Sequence, residues 1–235
     1  MDGIKAAKAF TDSHFPDCIS VMLFGSVARG ETSLRSDLDI LVLKPHEAQP
    51  YRRSYEEHGW FIEVWVISCR YAESTIRQPE RNLNPVTLTA YAEGLILKDE
   101  SEFAKSLQKK ARVILNEGPP PLTEKEVDTY RYVLTDWLDD FLDTSSCEEA
   151  VLIAQELTTK AAQFLLALNG QWIGERQWLY RALQRIDDPL AGQLMEKLTG
   201  FYKTGDKDGL VTHLEAILAL RGGRLYAGFH QSLDG

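Results

Sequence analysis

The stretch Leu23-Phe-Gly-Ser-Val-Ala-Arg-Gly-Glu-Thr-Ser-Leu-Arg-Ser-Asp-Leu-Asp-Ile-Leu-Val-Leu43 places two aspartates, Asp37 and Asp39, in a run that otherwise reads as a buried strand. Side chains alternate along a strand. Asp37 and Asp39 therefore stand on one side, about 6.7 Å apart along the backbone, while Leu38, Ile40 and Val42 face the other. Unpaired carboxylates so close repel each other, and one is driven toward protonation; a divalent cation removes that repulsion. Magnesium suits the pair, because it takes hard oxygen ligands at about 2.0–2.1 Å and commonly shares its shell with substrate phosphates.

The front of the same stretch suits an anion. Gly25-Ser26 follows a strand directly, and Val27 to Gly30 is compatible with a short helix. Backbone N–H groups and the Ser26 hydroxyl would then address a phosphate, and Gly25 would let it approach the main chain. Phosphate-binding amides beside metal-binding carboxylates are what transfer from a Mg–nucleoside triphosphate requires.

Outward from this stretch, the chain reads as two halves of different texture. Strands are expected at Ile19–Phe24, Asp37–Leu43 and Trp60–Ile67, after an amphipathic helix over Ile4–Phe15. Tyr71 to Leu115 is broken by Pro79 and Pro85 and reads as helical on either side of them. The three consecutive prolines of Glu117-Gly-Pro-Pro-Pro-Leu122 cannot continue a helix and form a stiff spacer. Beyond it, Thr123 with Glu126 makes a capping-box signature, and Val127, Tyr130, Leu134, Trp137, Leu138 and Phe141 recur at helical spacing. Ser146 with Glu149 repeats the signature before a helix over Cys147–Asn169. Further helices are expected at Glu175–Ile186, Pro189–Tyr202 and Asp206–Leu220. Helical spacing places Trp137, Trp172 and Trp178 in the bundle core. His46 and His58 carry no metal-ligand spacing and read as solvated. The expected architecture is α+β: a small mixed sheet with flanking helices over residues 1–116, then an α-helical bundle over residues 122–235.

The combination of Gly25-Ser26, Arg29-Gly30 and Ser36-Asp37-Leu38-Asp39-Ile40-Leu41-Val42 resembles the signature of the polymerase β-type nucleotidyltransferase superfamily. It is similar to the minimal and kanamycin-nucleotidyltransferase-like branches, which pair this core with helices. The resemblance implies that Asp37 and Asp39 hold Mg2+ or Mn2+, and that Gly25, Ser26 and Arg29 meet the phosphates of ATP or another NTP. It also implies a third carboxylate on a later strand. Glu63, the one acid inside Phe61-Ile-Glu-Val-Trp-Val-Ile67, matches that place, as a metal ligand or as acceptor of the proton from the attacking hydroxyl. In the helical half, Glu156 and Lys160 correspond to a Glu/Lys pair of the kanamycin-type enzymes, Glu156 as base and Lys160 on the triphosphate; i,i+4 spacing also fits an ordinary surface pair. Arg176 and Arg181 lie in a segment similar to a bend of that bundle, within reach of phosphate.

The expected activity is thus Mg-dependent transfer of a nucleoside monophosphate, AMP from ATP, onto an acceptor hydroxyl with release of pyrophosphate. A small aminoglycoside-like acceptor is expected; the alternatives are a protein acceptor, as in antitoxin-like AMP-transferases, and a nucleotide-binding regulatory module without turnover. The 235 residues carry a formal net charge of −9, which argues against sequence-independent nucleic-acid binding and against tailing of nucleic acids. Three scattered cysteines suggest neither a disulfide framework nor a zinc site. No run approaches about 20 apolar residues and the start lacks a secretory apolar core, so a cytoplasmic protein without a membrane span is expected. The resemblance also leaves room for a homodimer.

Overall fold

The computed structural model describes residues 1–45 and 49–231, without the side chain of Arg81. His46 lies outside the described residues. The chain divides into two compact units, Met1–Gly118 and Pro119–Gly235, so the boundary falls at the start of the triple proline.

The first unit opens with α1 (Gly3–His14), whose N-terminus is capped by the Asp2 carboxylate accepting from Ile4 N at 2.8 Å. A five-stranded mixed sheet follows: β1 (Ser20–Phe24), β2 (Leu38–Lys44), β3 (Tyr51–Glu57), β4 (Trp60–Ser68) and β5 (Leu95–Asp99), in the order β3-β4-β2-β1-β5. Only β2 and β4 run parallel; the other neighbours are antiparallel. One turn of helix, α2 (Gly25–Ala28), leaves the end of β1 directly. On one face Ala6, Ala7 and Phe10 of α1 pack with Val21, Leu23, Leu38, Ile40, Val42, Ile62, Val64 and Val66. Against the other face lie α3 (Cys69–Thr75), α5 (Val86–Glu93) and α6 (Phe103–Glu117), with the short α4 (Pro79–Asn82) between α3 and α5.

Three local expectations need correcting. β2 begins at Leu38, so Asp37 is the residue before the strand. β3 was hidden because Tyr51-Arg-Arg-Ser-Tyr-Glu-Glu57 is an edge strand with little burial, and edge strands tolerate charge on both faces. It is fixed by a two-residue hairpin turn, His58-Gly59, with φ of 55° and 77°, the conformation that matches strand twist. β5 was hidden in a segment read as helical. It is only five residues long, pairs along one side with β1, and closes the opposite edge of the sheet.

The second unit holds α7 (Glu124–Asp143), α8 (Cys147–Leu168), α9 (Gln177–Leu183), α10 (Pro189–Thr204) and α11 (Asp208–Ala219). The capping box at Thr123 is complete: its hydroxyl accepts from Glu126 N at 3.3 Å, while the Glu126 carboxylate accepts from Thr123 N at 2.7 Å. At α8 the Ser146 hydroxyl caps Glu149 N, but the Glu149 carboxylate goes to the Thr144 hydroxyl. α8 is the central helix, touching α7, α9, α10 and α11. By length and composition α8 is apolar enough to cross a bilayer, and half of its most apolar window is buried inside the protein. Trp178, expected in the core, is 39% exposed with Arg181 stacked on its ring.

Candidate functional site

The parallel pairing of β2 with β4 sets Asp39 beside Glu63, and the antiparallel pairing with β1 sets Phe24 on the other side of Asp39. Adding Ser54 of β3, one cross-strand row on the sheet reads Phe24, Asp39, Glu63, Ser54, and the next reads Met22, Leu41, Trp65, Arg52. Registered partners share a face. Val64 and Ile40, one residue on, point into the core with α1, so the carboxylates occupy the opposite face. Leu41 and Leu43 on that face are buried, whereas Asp39 and Glu63 are only half-buried and Phe61 is exposed. The acids therefore stand where the apolar cover of the sheet gives out.

Gly25 makes the site compact. Its φ is +76°, and a Cβ there would stand 2.1 Å from Asp39 Oδ2, so the backbone after β1 presses against the Asp39 carboxylate in a space open to glycine alone. Ser26 does not point to open solvent. Its hydroxyl donates to Ser36 Oγ at 2.9 Å, and Ser36 Oγ also accepts from Ser33 N at 2.8 Å, which pins the loop between α2 and Asp37. Ser36 is a residue that motif reading did not single out as functional; only folding of the loop brings its hydroxyl onto Ser26. Arg29 Nε donates to Glu31 Oε2 at 3.0 Å while its charge also acts on Asp39.

The Asp39 carboxyl is pushed up to about 6, first by burial, then by the charges of Asp37 and Glu63, against a smaller opposing pull from Arg29. Three acids thus share one neighbourhood with too little positive charge to balance them. Glu63 has partners of its own: Oε2 accepts from Trp65 Nε1 at 2.9 Å, and Arg52 Nη1 lies 3.6 Å from the same oxygen.

Asp37 and Asp39 fit a divalent cation. Their mutual repulsion and the raised Asp39 proton affinity are what a cation relieves, and Gly25 leaves room for phosphate oxygens at the same point. Among the described residues no three His, Cys, Asp or Glu side chains stand together closely enough to hold an ion. Such an ion would draw its other ligands from substrate and water.

Gly25, Ser26, Arg29, Asp37, Asp39 and Glu63 therefore meet in the first unit. Glu156 and Lys160 belong to the second. There Glu156 is exposed on α8, and Lys160 Nζ lies 5.7 Å from the Tyr130 ring centroid and 5.9 Å from that of Trp137. Both distances are those of cation–π contacts within the second unit. Arg176 stands just before α9 as its N-cap, with φ of 51°, and Arg181 is engaged by Trp178.

Residues 4–81 match the family model of the nucleotidyltransferase domain. That nucleotidyltransferase-domain match contains every residue of the first-unit site and supports a general activity of nucleotidyl transfer. No curated protein matches the chain. Among solved structures, a nucleotidyltransferase-like protein from Exiguobacterium sibiricum 255-15 is similar with a TM-score of 0.43 and 12% identity, covering 93% of this chain and 80% of that one.

Proposed function

We propose that the protein transfers a nucleoside monophosphate, AMP from ATP, to a hydroxyl of a small acceptor and releases pyrophosphate. The observation that carries this reading is the convergence of Asp37, Asp39 and Gly25 within the segment that matches the nucleotidyltransferase domain. Asp37 and Asp39 would hold Mg2+ or Mn2+, which when bound neutralises charge on the triphosphate. The N–H groups that open α2, lacking intrahelical partners, would receive phosphate oxygens at Gly25-Ser26. For that, the Ser26 hydroxyl exchanges Ser36 for phosphate.

In the transfer, the acceptor oxygen forms a bond to the α-phosphorus as the bond from that phosphorus to the bridging oxygen breaks, and the electron pair leaves with pyrophosphate. The acceptor's proton goes to a carboxylate. Glu63, beside Asp39 in the same row, is the candidate, with Glu156 of the second unit as the alternative. No covalent bond to the protein is needed; the work is positioning and charge stabilisation.

The test is pyrophosphate release from Mg–ATP across a panel of aminoglycosides, sugars, nucleosides and hydroxyl-bearing proteins. Release that depends on one acceptor and is absent from Asp37→Asn supports the reading. Binding of Mg–ATP without release under any acceptor would make the protein a nucleotide-sensing module.

A further inference from the structure

β3 is charged along its length, and its charges are ordered. Tyr51-Arg-Arg-Ser-Tyr-Glu-Glu57 runs from a basic half to an acidic half with Ser54 at its centre. The strand is an edge of the sheet, hydrogen-bonded to β4 on one side; among the described residues no strand pairs with its other side. Every second residue of such an edge points its backbone N–H and C=O outward, which makes it a template for pairing with another chain. Tyr51 to Ser54 and Glu56 are exposed, and among the described residues Glu56 has no hydrogen bond or ion pair.

Charges on an edge discourage pairing only where like meets like. Laid antiparallel against a second copy, on a two-fold axis through Ser54, this strand meets its own complement. Position 52 stands opposite 56, 53 opposite 55 and 51 opposite 57, so Arg52 faces Glu56 twice and Arg53 faces Tyr55 twice. The faces agree as well. Arg52, Ser54 and Glu56 share the face of Trp65, Glu63 and Phe61, and an axis perpendicular to the sheet keeps them on it. Parallel pairing in register would instead set Arg52 against Arg52 and Glu56 against Glu56. Slipping the antiparallel pair two residues toward the turn puts Arg52 opposite His58, outside the strand, and calls on Glu57, which already lies 2.8 Å from His14 Nε2.

We propose that β3 is an association edge for a second copy of this chain, paired antiparallel about Ser54 so that two five-stranded sheets join into one. Backbone hydrogen bonds supply the attraction, and the Arg52–Glu56 crossings fix the register. The same patch serves both copies, as a closed two-fold contact requires. One pair of seven-residue strands is smaller than a standard interface, so the association is weak and depends on concentration. It also reaches the acid-bearing face of the sheet. Arg52 Nη1 is 3.6 Å from Glu63 Oε2, so Glu56 of the second copy arrives beside a side chain that already addresses the candidate site.

Sedimentation of the full chain over micromolar to millimolar loading should show a monomer–dimer equilibrium. Glu56→Arg makes both crossings basic, and Arg52→Glu makes both acidic. Each should weaken self-association by about tenfold or more. Mixed in equal amounts, the two variants should associate within about threefold of the native chain, because an acidic chain then meets a basic one at both crossings. The register has its own readout. Residue 54 alone meets its own copy, so on mild oxidation Ser54→Cys should form an intermolecular disulfide much faster than the native chain does through its own cysteines.

A chain that stays monomeric at millimolar concentration overturns the proposal. So does a dimer indifferent to Glu56→Arg, and so do variants that stay apart when mixed. Should Arg52→Glu not fold, Glu56→Arg and Ser54→Cys still decide: lost self-association with rapid crosslinking supports the pairing, and slow crosslinking overturns it.

Discussion

At Asp39, burial and two neighbouring acids raise the carboxyl to about 6, and that shift links stability to pH with a definite sign. The folded state holds its proton to a higher pH than the unfolded chain, whose aspartate ionises near 3.8. The stabilisation from this group is therefore complete below about pH 4 and is lost as pH rises through about 6. Asp39→Asn should consequently raise stability at pH 7.5 by on the order of 1–2 kcal/mol, after allowance for its partial exposure, and should do nothing of the kind at pH 4. Thermal melts at the two pH values check this. Millimolar Mn2+ should close the gap from the native side only. Gly25 offers a second test. Gly25→Ala places a methyl group on Asp39 Oδ2 at a positive φ, whereas Gly30→Ala, at φ +73° with open space around it, carries backbone strain alone. Both should lose about 1–3 kcal/mol in denaturant titrations, but only Gly25→Ala should also lose Mn2+ affinity.

Elements differ in how plainly their residues announce them. α7 was legible because its signals are local: a Thr and a Glu three residues apart, then apolar side chains at three- and four-residue spacing. Thr123→Ala removes one half of that box and should cost about 1 kcal/mol in urea unfolding, with the Glu126 carboxylate, held below its usual range by Thr123, returning toward it. β1, β2 and β4 were legible as short apolar runs of strand-forming residues, and the acids in β2 and β4 stood out against them. β3 and β5 were not, because an edge strand is defined by the neighbour it hydrogen-bonds rather than by its own side chains. α9 is shorter than its apolar pattern suggests, since the chain before it runs through Arg176 at positive φ instead of extending the helix.

In the molecule as a whole, the candidate bases sit in different compact units, Glu63 in the first and Glu156 in the second. Glu63→Gln should lower transfer by about 10²–10⁴ with little change in KM for ATP, and Glu156→Gln should change it by less than tenfold, once an acceptor is in hand. Steady-state kinetics on the two variants decide between them, and the reverse result would assign the proton to the helical unit. The order of residues in the chain determined much of this protein: the α+β class, the helical character of the second half, and the presence of a Gly-Ser turn after one strand and of two alternate aspartates at the next, because each rests on periodicity or spacing within a few residues. Only the tertiary structure decided that Glu63 lies beside Asp39, that Gly25 packs on that carboxylate, that Ser36 holds Ser26, and that Trp65 and Arg52 hold Glu63. The Asp39–Glu63 and Arg52–Glu63 contacts are made through strand register, which is fixed by what the whole sheet buries rather than by any one segment, and the Gly25 and Ser36 contacts through the path of the loop between β1 and β2.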